Sequence, residues 1–70
     1  MHWSEALVRG ISRATRMNGR LRITVHKQTQ AILGRMALDK MAREHLDRIS
    51  FVIDRDIHPV GTVINAPQIS

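Results

Sequence analysis

The sequence predicts a small α+β domain with an N-terminal helix, a β-hairpin, a second helix and a β-prone C-terminal tail, associated as a dimer. Two stretches carry apolar residues at helical spacing and one alternates with period two, which sets the α+β class. Size argues for the dimer. A chain of 70 residues buries only about 60% of the surface that its unfolded form exposes, and so small a core is usually reinforced by disulfides, a metal or a second subunit. Cysteine is absent, and His2, His26, His45 and His58 show no metal-ligand spacing. Oligomerisation remains, with a homodimer as its commonest form.

The first helix is expected from Ser4 to Met17. Trp3, Ala6, Leu7, Ile11, Ala14 and Met17 recur at spacings of three and four and share one face, with Trp3 folded back over it. Ser4 suits the N-cap, Glu5 the positive end of the helix dipole, and Asn18-Gly19 the C-terminal stop. Arg9, Arg13 and Arg16 form a stripe beside the apolar face. Leu21 to His26 then alternates as a strand, with Leu21, Ile23 and Val25 inward and Arg22, Thr24 and His26 outward.

Residues 27–36 allow two readings. Lys27-Gln28-Thr29 is a hairpin turn leading to a strand over Gln30 to Arg35, or Thr29 caps a helix running to Arg48. Gly34 inside a helix would cost about 1 kcal/mol, which favours the hairpin. A helix from Leu38 to Arg48 follows, with Leu38, Met41, Ala42, His45, Leu46 and Ile49 on its apolar side. Asp39–Arg43 and Glu44–Arg48 are spaced as solvent-side ion pairs. Met17, Met36 and Met41 read as core filler.

The tail changes character. Ser50 to Ile53 and Thr62 to Ile64 read as short strands, Asp54 and Asp56 as a solvated pair, and Pro67 as the start of a frayed end. Phe51, Val52, Ile53, Val63 and Ile64 must be buried by the chain's own sheet, a second copy or a partner's strand edge. Residues 1–48 are thus expected to form a helix–strand–strand–helix dimerisation and nucleic-acid-binding part. Residues 49–70 form a partner-binding or sheet-extending tail.

Charge points to function. The net charge is +5, and it is divided unevenly. Residues 1–35 hold seven Lys and Arg against Glu5 alone, whereas residues 36–70 hold four against five carboxylates. A basic half of this kind suits a polyanion, and an arginine fork matches phosphates and guanine edges. The candidate nucleic-acid contacts are Arg9, Arg13, Arg16, Arg20, Arg22 and Lys27. No nucleophile-elbow glycines, phosphate-cradling loop or metal-ligand cluster appears, so neither enzymatic activity nor a cofactor is expected. No run approaches the ~18 consecutive apolar residues of a membrane span. The first five residues also lack the basic start and apolar stretch of a signal peptide. The expected location is the cytoplasm.

The order of these features resembles the Phd/YefM antitoxin family. Ser4-Glu5-Ala6 matches the family's helix-opening motif, and Gly19-Arg20-Leu21-Arg22-Ile23-Thr24 looks like its Gly-to-Ile-Thr segment with one residue fewer. Ala31-Ile32-Leu33 resembles its Ala-x-Leu strand, and Leu38 to Leu46 covers the helix that follows. The resemblance implies a dimeric repressor that binds operator DNA through its N-terminal part. It also implies a C-terminal segment that neutralises a toxin, often of the Doc or RelE type. Leu7 and Val25 stand where the family carries arginines, which leaves Arg9, Arg20, Arg22 and Lys27 as neighbours able to take that role. A ribbon-helix-helix dimer, with Arg22, Thr24 and His26 of paired strands in the major groove, is a variant of the same idea. The competing expectation is a small phage- or plasmid-type interaction module or inhibitor that acts on a host protein without binding DNA.

Overall fold

A computed structural model describes residues 2–54 and 57–66. Helix α1 (Trp3–Thr15) leads to strand β1 (Leu21–Val25), helix α2 (Gln28–Ala42), a 3-10 turn (Arg43–His45), strand β2 (Ile49–Ile53) and strand β3 (Val63–Asn65). The sheet order is β2-β1-β3. β1 and β2 are parallel, with Leu21 beside Ile49 and Val25 beside Ile53, and β3 runs antiparallel to β1 on its other side. The small α+β class therefore holds. Among the described residues the tail joins the chain's own sheet, as two strands flanking β1 and not as a hairpin.

Both helices pack on one face of that sheet. Leu7, Ile11 and Ala14 of α1 and Leu38 and Ala42 of α2 close over Leu21, Ile23, Val25 and Ile49. Trp3 and Met17 pack against this core from its edge, close to the expected positions. α1 begins one residue before Ser4, because the His2 Nδ1 accepts from the Ser4 N–H (3.2 Å) and His2 serves as N-cap. The chain turns after Arg16, and Gly19 carries the left-handed conformation (φ +83°) that the Asn-Gly pair predicts.

The hairpin reading of residues 27–36 is wrong: the segment is helical, as the alternative reading had it, but its N-cap is Lys27 and not Thr29. Two contacts invisible to local propensity decide it. The buried Gln30 side chain reaches back, and its Oε1 accepts from the N–H groups of His26 (2.8 Å) and Lys27 (3.1 Å). Those donors lie at the helix start, where backbone N–H groups lack partners within the helix. Gly34 lies directly against the Phe51 ring of β2, and a Cβ there would come within 2.6 Å of the ring. The glycine counted against a helix is therefore what lets this helix lie close to the sheet. Ala31-Ile32-Leu33, compared with a family strand, belongs to α2.

The second helix also ends earlier than its apolar pattern predicts. The chain leaves helical geometry at Ala42 (φ −157°, ψ 63°). Asp39–Arg43 forms at 3.0 Å, and Asp39 holds the Arg43 guanidinium above its ordinary pKa, through the hydrogen bond first and its charge second. Glu44–Arg48 does not form. Glu44 lies 3.8 Å from the His45 Nε2, and Arg48 turns inward to α1. Met36 and Met41 are not core filler, being 63% and 49% exposed. Of the expected Asp54–Asp56 pair, Asp54 lies 3.3 Å from the His58 Nδ1, whereas Asp56 and the fraying from Pro67 fall outside the described residues.

The face of the sheet away from the helices carries Arg22 and Thr24 of β1, Ser50 and Val52 of β2, and Ile64 of β3. Thr24, on the middle strand, is fully buried, and its hydroxyl has no hydrogen-bond partner among the described residues. An unpaired buried hydroxyl costs about 1–3 kcal/mol. Thr24→Val is accordingly expected to raise stability by about 1 kcal/mol, read as a higher denaturant midpoint. A drop would mean that the hydroxyl has a partner in solution.

Candidate nucleic-acid interface

Arg9 and Arg13 of α1 and Arg16 at its C-cap lie at i, i+4 and i+7 and are all exposed. They form one ridge along the solvent side of the helix because Leu7, Ile11 and Ala14 hold the opposite side in the core. Arg9 and Arg13 also border a groove of about 240 Å³ between α1 and the turn before β3, floored by Ala6, Gly10, Val60 and Val63.

Two glycines bring those walls together. Pro59 to Thr62 form a turn in which the Thr62 N–H donates to the Pro59 carbonyl (3.2 Å) and Gly61 has φ +89°. This is the pattern of a type II turn, whose third residue needs positive φ. The same glycine opens a β-bulge. Its N–H donates to the Thr24 carbonyl (2.8 Å), while the Thr24 N–H donates to the Thr62 carbonyl (2.9 Å). With no Cβ on either residue, the Gly61 backbone rests directly on Ala6 and Gly10 of α1.

The remaining cations are placed elsewhere. Arg20 is exposed just before β1, and its carbonyl accepts from the Ala66 N–H (2.9 Å). Arg22 is half-buried on the sheet face away from the helices, between Ser50 and Ile64. Lys27 is exposed at the N-cap of α2, at the other end of β1 from Arg20. Within one chain, then, the α1 arginines form one surface, and Arg22 belongs to another. Among the described residues, Asp39 forms an ion pair with Arg43, Glu44 lies beside His45 and Asp54 beside His58, and no described carboxylate pairs with Arg9, Arg13, Arg16, Arg20, Arg22 or Lys27.

The ribbon-helix-helix variant fails on topology. It requires β1 strands of two copies to pair, and β1 is the central strand, occupied on both sides. The outward residues are also engaged: Thr24 is buried, and the His26 Nε2 donates to the His58 carbonyl (2.7 Å).

The five expected partner-binding residues separate as well. Phe51 and Val63 pack against the core. Val52 and Ile64 lie half-buried on the sheet face away from the helices, and Ile53 is 48% exposed at the end of β2. An apolar surface that sequence reasoning missed lies on α2, where Ile32, Leu33 and Met36 are exposed. Reading that segment as a strand hid the helical spacing that brings them together. No described helix is long and apolar enough to cross a membrane. Comparison with protein-family models, with curated proteins and with solved structures finds no match to this chain.

Proposed function

We propose that this chain is a small, non-enzymatic, cytoplasmic DNA-binding regulator that seats the phosphate backbone on the arginine ridge of α1. The observation that carries the proposal is the ridge itself: three exposed guanidinium groups on one helix, with no described carboxylate within ion-pair distance. Arg9 to Arg16 spans about 10 Å of helix axis, a length over which duplex DNA presents about six phosphate charges. Arg20 extends the basic surface past the end of α1, whereas Arg22 and Lys27 enter only if the nucleic acid wraps the molecule.

The antitoxin-type repressor is the more specific form of this proposal. Because residues 31–33 are helical, it draws its support from the charge distribution and not from the family's strand order. With Phe51 and Val63 committed to the core, a toxin-like partner would engage Val52, Ile53 and Ile64.

Salt-titrated binding to random duplex DNA tests the proposal. Log affinity should fall linearly with log salt, by about 0.9 per phosphate neutralised. Replacing Arg9, Arg13 and Arg16 together by glutamine should flatten that slope by about 2–3. Salt-independent affinity, or a triple variant with an unchanged slope, refutes it.

A further inference from the structure

We infer that α2 is the interface of a two-fold symmetric homodimer, in which the helices of two copies cross antiparallel at Met36, with the Ile32 of each copy to either side of the crossing. This does not depend on nucleic-acid binding. Ile32, Arg35, Met36 and Asp39 lie at i, i+3, i+4 and i+7 and form one stripe on the solvent side of α2. Ile32 is 53% and Met36 63% exposed, and Leu33, 47% exposed, flanks them. Three large apolar side chains grouped on one helix mark a surface made to be covered. The buried side of the same helix is already complete, through Gln30, Gly34, Leu38 and Ala42. A groove of about 400 Å³ lies along the stripe, walled at its far side by Leu46. The flexible thioether of Met36 from a second copy suits so irregular a space.

The order of charges selects the occupant. Arg35 and Asp39 border the apolar pair with opposite signs, four residues or about 6 Å of helix axis apart. In a parallel pair with like residues facing, each would meet its own sign. An antiparallel crossing centred between Arg35 and Met36 brings Met36 against Met36 and sets each Arg35 within a turn of the partner's Asp39. The stripe is therefore complementary to itself, as a closed two-fold interface requires. Nucleic acid does not suit so apolar a strip, and Asp39 within it disfavours an anionic membrane surface.

Charge exchange tests this arrangement on the whole chain. The unaltered protein should sediment at twice its 8.0 kDa chain mass. Arg35→Asp leaves two negative groups along each stripe and Asp39→Arg two positive ones, so either variant alone should dimerise about tenfold more weakly. An equimolar mixture restores opposite charges at both contacts, and it should form heterodimers within about threefold of the original affinity. Met36→Lys gives a second reading that leaves the Asp39–Arg43 pair intact, and a monomer with an unchanged circular dichroism spectrum is expected. The inference is overturned if the unaltered chain is monomeric at about 100 μM. It is equally overturned if the single charge variants or Met36→Lys associate like the original, or if mixing restores nothing.

Discussion

Substituting alanine for Gly61 is expected to remove a large part of this protein's stability, by about 3–4 kcal/mol. Two costs combine there. Gly61 has φ +89°, and the left-handed conformation costs an ordinary residue about 1–2 kcal/mol. The new methyl group would also overlap the Ala6 carbonyl on α1. Backbone cannot rotate away as a side chain does, so the helix or the turn must shift, and forced overpacking costs about 1–3 kcal/mol. A 70-residue domain has roughly 4–10 kcal/mol in all. The control is Gly19→Ala, since Gly19 has nearly the same φ (+83°) with nothing near its absent Cβ. Only the conformational cost applies there, about 1–2 kcal/mol. Gly10→Ala completes the set from the helix side. Helix propensity alone favours that change by about 1 kcal/mol, yet the methyl would meet the Gly61 carbonyl and lie 3.0 Å from its Cα. Denaturant unfolding of the three variants should rank the losses Gly61 first, and Gly10→Ala should still be destabilising. Equal losses at Gly61 and Gly19 would mean that the helix and the turn do not touch.

Arg48→Met is expected to cost about 2–3 kcal/mol. The half-buried guanidinium closes the C-terminal end of α1. Its Nη2 donates to the carbonyls of Ala14 and Thr15 (both 3.3 Å), its Nη1 to that of Gly19 (3.0 Å), and its Nε to the His45 Nδ1 (2.9 Å). The last carbonyls of a helix lack partners within it and carry its negative dipole end, so a forked cation satisfies both. Hydrogen bonds to charged groups contribute about 1.5–3 kcal/mol each where water is excluded. Partial exposure here reduces the total to the stated range. For a domain of this size the melting temperature should fall by about 10–20 °C. Arg48→Lys keeps the charge without the fork and should recover only part of the loss. If Arg48→Met melts like the original protein, the clamp contributes nothing in solution.

How much could be read in advance depended on how local each cause is. α1, β1 and the two tail strands follow from spacing within a few residues of themselves, and all four lie close to their expected positions. α2 does not. Its start depends on Gln30 folding back, its Gly34 on the ring of Phe51 from another strand, and its exposed side on apolar residues that blur the helical period. The arginine ridge was legible because one helix supplies it. The separation of Arg22 was not, since it depends on which sheet face the helices cover. Arg48 was misassigned for a similar reason: its spacing from Glu44 suggests a surface pair, whereas its partners lie at the far end of α1.

The position of β3 has a consequence for synthesis. β1 is flanked on one side by β2 and on the other by β3, which is made later. On the ribosome, the nascent chain can assemble both helices on β1 and β2 while one side of β1 still exposes bare amide and carbonyl groups. At about 5–20 residues per second, the stretch from Ile53 to Val63 occupies roughly half a second to two seconds. During that interval the unfilled edge can recruit an extended segment of another nascent chain, as open strand edges do. Emergence of residues 63–66 ends the exposure.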